Sequence, residues 1–351
     1  MKGKGKEGWM KDKYRNLFLG FGIAAIVLML CTFDVEYDEL WAHLRTAGIW
    51  FPAVVGLWVF IYLMNALSWY LLIRDGSSRT SIPFWKVYKL TITGFALNYA
   101  TPVGLMGGEP YRILELTPYV GGSKATSSVI LYVMMHIFSH FCFWFFSIFL
   151  FLALHPVDVP MGMLLASVGA FCLLAIYFFL KGYRNGMAVR TLRVLQHLPG
   201  MKAWARRFLA EKRDTLERVD RQIAELHRQR KSTFCLSLLL EFSARVVGCL
   251  EVYWILRILT DDVSFATCIL IMAFTSLFSN LFFFSPMQLG AREGGFALAT
   301  GGLALSGAWG VYTGLITRVR EMVWIVIGVL LMKVGNGGPS PNGGDTLSHS
   351  S

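Results

Sequence analysis

Residues 98–112 read NYATPVGLMGGEPYR. An apolar run leads into it and another follows it. A regular helix does not pass through Pro102 and then Gly104, Gly107 and Gly108, because the proline lacks a donor and the glycines loosen the backbone. The same stretch carries Glu109 and Arg112. Irregular backbone at membrane depth is tolerated only where protein or a water-filled cavity covers it. The stretch therefore reads as a turn at a site. A second stretch, residues 280–295, reads NLFFFSPMQLGAREGG and repeats the pattern. In each, a hydroxyl residue precedes a proline and a glutamate stands seven residues beyond it: Thr101, Pro102, Glu109 and Ser285, Pro286, Glu293. All three positions are offset by 184 residues.

The surrounding composition says where these turns lie. The chain is 55% hydrophobic and only 16% charged, whereas soluble domains carry roughly a quarter of their residues as charges. Several apolar runs approach or exceed the roughly 18 residues of a spanning helix. The fold class is all-α: a polytopic integral membrane protein, with about seven spanning helices and two re-entrant segments expected. Six cysteines lie in or beside apolar runs and form no CxxC pair, so neither a disulfide framework nor a zinc site is indicated.

Charge sets the expected topology. Residues 181–231 hold 14 Lys/Arg against 5 Asp/Glu, residues 1–15 hold 6 against 2, and residues 34–48 hold 1 against 4. Positive segments stay in the cytoplasm and attract anionic lipid; no recognition motif accompanies the charge, so nucleic acid is not the expected partner. Residues 1–16 form a basic cytoplasmic leader, and the run 17–33 reads as a retained first helix. The runs 49–73, 90–106, 126–154 and 161–180 follow. Lys86 and Lys89 fall in a cytoplasmic loop before the second of these. For segment 181–231 to be cytoplasmic, one run must not cross, and 90–106 is expected to be a re-entrant hairpin. Segment 181–231 itself has apolar residues at helical spacing (Leu216, Val219, Ile223, Leu226) and reads as a surface helix.

The second half repeats the order with runs 233–259, 264–284, 296–316 and 319–334. The single membrane domain spans 17–334. Its first repeat covers about 49–180, its second about 232–334, and a disordered Gly/Ser/Pro-rich tail occupies 335–351. Two such units separated by an internal loop would be related by inverted topology, the build of many transporters.

Charged residues inside apolar runs are functional by default. Glu109 and Arg112 are three apart and can pair, or can take a lipid headgroup, Arg on phosphate and Glu on an amine. Asn98, Thr101, Ser285, Gln288, Arg292 and Glu293 complete the expected headgroup site, with Pro102, Gly104, Gly107, Gly108, Pro286 and Gly290 forming the turns. Glu241 and Arg245 stand at i,i+4 and can neutralise each other. Glu251 has no basic partner at that spacing; it is either a relay or reaches Arg318 or Arg320. Those two arginines and Glu321 would close a polar network. His136 and His140 also stand at i,i+4, but no acid or cysteine near them in sequence completes a metal site, so they read as packed, neutral histidines. No metal or cofactor is expected, and no P-loop, GxSxG or HExxH is present.

At these two motifs the sequence resembles the lysylphosphatidylglycerol synthase transmembrane-region family, the flippase-like membrane half of the multiple peptide resistance factors. The resemblance rests on Asn98, Thr101, Pro102, Gly104, Gly107, Gly108, Glu109 and Arg112, then on Pro286, Gly290, Arg292, Glu293 and the segment 318–321. Gln288 stands where family members often have glycine. The resemblance implies a helical domain that moves a phospholipid or lipid-linked molecule across the cytoplasmic membrane, with membrane phospholipids as partners. No aminoacyl-transferase domain is expected after Val334, so lysyl transfer is not implied. Two other functions fit the residues: a membrane-embedded transferase with Glu109 or Glu293 as base, and a non-catalytic partner of a lipid-modifying enzyme.

Overall fold

The computed structural model describes residues 45–74, 82–100, 107–185, 217, 220–221, 231–282 and 290–333. Among them it contains nine helices and no strand: α1 (Trp50–Ile73), α2 (Phe84–Ala100), α3 (Gly108–Val120), α4 (Gly122–Leu154), α5 (Val159–Asn185), α6 (Lys231–Arg257), α7 (Phe265–Leu281), α8 (Ala291–Gly302) and α9 (Gly307–Leu331). An all-helical solution follows from the composition. In an apolar surround each backbone group must be satisfied within its own segment. Four of the helices (α1, α4, α6 and the 159–181 part of α5) are long and apolar enough to cross a membrane.

The two turn motifs divide helices into short pieces. With 17 residues each, α2 and α7 extend roughly 26 Å, and α3 and α8, with 13 and 12, roughly 20 Å or less. None alone reaches the roughly 30 Å of a hydrocarbon core. The segments 101–106 and 283–289, and with them Thr101, Pro102, Gly104, Ser285, Pro286 and Gln288, lie outside the described residues. So do the expected first helix at 17–33, the tail and nearly all of the basic segment 181–231 beyond Asn185.

Packing repeats between the halves. In the first half α1 packs on α2, α2 on α3 and α3 on α4; in the second α6 packs on α7, α7 on α8 and α8 on α9. Within each half α1 also meets α4 as α6 meets α9, and the contacts between halves exchange in the same way: α2 with α9 and α7 with α4, α4 with α6 and α9 with α1. The central α1–α6 contact maps onto itself. Among these main contacts only α4–α5 has no counterpart, and α5 is the least buried of the four long apolar helices, with large apolar side chains such as Phe171, Leu174 and Phe178 turned outward. The cores follow the same logic. Trp69, Leu90, Tyr111, Leu116 and Tyr132 bind α1–α4 together, and Val252, Leu256, Cys268, Ile271 and Phe296 do so for α6–α8.

Two boundaries differ from the sequence reading. The runs 296–316 and 319–334 are not separate spans: α9 continues from Gly307 to Leu331 through Arg318, Arg320 and Glu321. The break comes earlier, after Gly302, where Ala304 takes a positive φ of 60°. Charges interrupt hydropathy without interrupting a helix when partners neutralise them. For the same reason Lys86 and Lys89 lie inside α2 instead of in a loop. Lys86 reaches Glu115 on α3 at 3.5 Å.

Candidate functional site

A cavity of about 330 Å³ opens between the two halves, walled by α1–α4 and α6–α8. Three polar clusters border it.

The first is built by the Asn98–Arg112 motif. Asn98, near the end of α2, accepts a hydrogen bond from Gly108 N at 2.7 Å and donates to Glu109 Oε1 at 2.9 Å. One side chain thus stitches the end of α2 to the start of α3. Glu109 sits in the first turn of α3, where the helix dipole favours a carboxylate. Arg112, one turn on, is buried. It meets Glu109 Oε1 at only 3.4 Å and donates to the carbonyls of Leu90 and Thr91 at 3.4 and 3.2 Å. Its guanidinium stands 5.0–5.8 Å from the ring centres of Phe95, Tyr132 and Trp69, within cation–π range. The fit needs glycine. A Cβ on Gly94 would collide with the Arg112 guanidinium, and one on Gly108 with the Gly94 carbonyl.

The second cluster is built by the other motif and is closed on itself. Arg292 pairs with Glu321. Glu293 accepts from Arg318 Nε at 2.9 Å and from Gly290 N at 3.0 Å, capping α8, and Arg318 also reaches Glu321 at 3.2 Å. Gly290, at φ 75°, supplies the left-handed turn that α8 starts from. Neighbours in sequence, Arg292 and Glu293 serve different partners on α9. Glu251 is held by Arg320 through two hydrogen bonds of 2.8 and 3.0 Å and by Trp58 Nε1 at 2.9 Å. Of the two arginines the sequence offered to Glu251, the contact is made with Arg320.

The third cluster corrects an expected pair. Glu241 and Arg245 each turn to α4. Glu241 Oε2 lies 2.8 Å from His136 Nδ1, while Arg245 donates to Ser139 Oγ at 2.6 Å and to the His136 carbonyl at 2.5 Å. The acid that sequence proximity did not offer to the histidines comes from 105 residues away. His136 and His140 pack edge to face, 5.6 Å between centres.

Six buried polar atoms on the cavity wall have no partner among the described residues: Asn65 Oδ1, Glu109 Oε2, Tyr132 OH, His140 Nδ1, Glu241 Oε1 and Ser279 Oγ. Left dry, each would cost about 1–3 kcal/mol. They are therefore served by water or by a polar ligand, for which the space suffices. Asn65 and the α7 face of Ser276, Ser279 and Asn280 had no place in the sequence reading. The signal was there, a polar stripe at helical spacing on an otherwise apolar helix. Among the described residues no three His, Cys, Asp or Glu gather as metal ligands.

The fold and the site define a class: a helical membrane protein whose two similarly packed halves enclose a polar, charge-lined cavity. Within that class the chain belongs to the lysylphosphatidylglycerol synthase TM region family, whose match covers residues 17–328, and it is accordingly a membrane protein of lipid metabolism. Neither the curated proteins nor the solved structures contain a match to it.

Proposed function

We propose that the chain binds the headgroup of a phospholipid or lipid-linked molecule in the cavity and moves it between the leaflets of the cytoplasmic membrane, as a flippase. The observation that carries this reading is the wall itself. It presents Arg112 and Arg245 for phosphate oxygens and the oxygens of Glu109 and Glu241 that have no partner among the described residues for a cationic group. The acyl chains stay in lipid while the headgroup passes between the halves. On this reading α2–α3 and α7–α8 are re-entrant pairs of inverted orientation. Their helix lengths and exchanged packing support that arrangement. The amino terminus is cytoplasmic, and the basic segment 181–231 attracts anionic lipid.

Fluorescent-lipid translocation in proteoliposomes tests the proposal. Glu109→Ala is expected to lower the rate about tenfold or more, equivalent to losing at least roughly 1.4 kcal/mol of transition-state stabilisation. A wild-type rate in that variant removes Glu109 from the function. A second reading draws on the same oxygen: an unpartnered carboxylate suits a general base in a lipid-modifying transferase. It falls to Glu109 and not to Glu293, both of whose oxygens are occupied. A new lipid product formed by the purified protein would favour it.

A further inference from the structure

The third cluster does more than line the wall. Glu241 is 1% exposed and sits near the middle of α6; His136 sits near the middle of α4. Their 2.8 Å contact joins a carboxylate to an imidazole, two groups that share a proton readily. The other oxygen of the pair's carboxylate, Glu241 Oε1, and the adjacent His140 Nδ1 have no partner among the described residues. Arg245 is anchored to α4 at the same level, through Ser139 Oγ and the His136 carbonyl.

We infer that Glu241 and His136 form a proton-binding site on the cavity wall, with His140 as its neighbour toward the cavity, and that protonation of this pair is coupled to movement of the headgroup. The coupling rests on the proposed lipid translocation; the proton site does not. On loading, hydronium in the cavity gives one proton to the pair and leaves water. On unloading, the proton returns to water on the other side once the cavity reopens there. In the loaded state the pair is neutral overall, as carboxylic acid with imidazole or carboxylate with imidazolium. In the unloaded state it carries one negative charge facing Arg245. A phosphate-bearing headgroup thus meets a wall that differs by one charge between the two states. That difference is what biases binding.

The groups facing the pair come from every helix around it. Arg112 on α3 and Arg245 on α6 act on His136, Tyr132 on α4 acts on Glu241, and Glu109 on α3 and Tyr99 on α2 line the same cavity. The sides formed by α1 and α7 present Asn65, Ser276 and Ser279, which carry no charge. Arg292 on α8 and the charges of α9 are engaged with one another and with Glu251 and Glu293. No fixed carboxylate stands close enough to be hydrogen-bonded to either histidine except Glu241 among the described residues.

Infrared difference spectroscopy on the full chain in lipid nanodiscs, stepped between about pH 8 and pH 5, reads the site directly. The expected result is carboxyl or imidazole bands in the wild type that are lost in both Glu241→Gln and His136→Gln and retained in Glu109→Gln. Elution as a single symmetric peak checks that the variants fold. Bands that are the same in the wild type and both variants overturn the proton site. In proteoliposomes a pH gradient of about two units is expected to change lipid translocation fivefold or more in the wild type and not in Glu241→Gln. Translocation that is indifferent to the gradient overturns the coupling and leaves the proposed function standing. Absence of any lipid movement overturns that function instead, and the infrared result still decides the proton site.

Discussion

The two turn motifs are alike in sequence and differ in the partners they meet. Glu109 and Glu293 both sit in the first turn of a short helix that follows a broken one, 184 residues apart. Glu293 has both oxygens occupied, by Arg318 and by the backbone of Gly290, and its neighbour Arg292 is paired with Glu321. Three arginines and three glutamates there form a clamp joining α6, α8 and α9. Glu109 has one oxygen bound to Asn98 and Arg112 and leaves the other facing the cavity, while Arg112 rests on carbonyls and aromatic faces. A repeated motif therefore need not repeat its role. Partners from other helices make one copy a fastening and leave the other available to a ligand.

The largest effect is expected in the clamp. Glu251→Ala leaves Arg320, wholly buried, without its bidentate partner, and should cost about 3–5 kcal/mol. A large drop in thermal unfolding temperature in detergent would show it; an unchanged temperature would make the clamp dispensable. Next comes the helix crossing beneath each motif. Gly108→Ala drives a methyl into the Gly94 carbonyl and displaces α3 from α2, at about 1–3 kcal/mol. In the α7–α8 crossing of the other half, Gly295→Ala meets Thr275 at 3.3 Å and should cost visibly less. Equal losses in a denaturant titration would mean that the two crossings are equally tight. The smallest stability effect belongs to the open glutamate. Glu109→Gln should change stability by less than about 1 kcal/mol while lipid movement falls, whereas Glu293→Gln, which takes the charge from Arg318, should cost more stability. If unfolding midpoints rank these two the other way, the contrast between the motifs is wrong.

Much of the site was legible because it depends on local chemistry. Pro102 and Pro286 with their glycines marked two interruptions, and the charged residues beyond them marked polarity in an apolar chain. Arg318, Arg320 and Glu321 were identified as a network but mistaken for a helix boundary, since hydropathy registers the charge and not the carboxylate that neutralises it. Glu241 and Arg245 show the opposite error. Their i,i+4 spacing allowed a pair, but each found a better partner on α4. His136 lacked an acid in its own neighbourhood and obtained one across the helix interface.

What the sequence by itself determined is where helices form and where they break. Those outcomes depend on runs of apolar side chains and on the backbone properties of proline and glycine, all of which act within a few residues. Which charge meets which was decided by tertiary structure alone. Contacts such as Glu241–His136, Arg320–Glu251 and Trp58–Glu251 join residues 105, 69 and 193 positions apart. An ionised group in a medium of low dielectric takes the counter-charge that packing brings within hydrogen-bonding distance, whatever its separation along the chain.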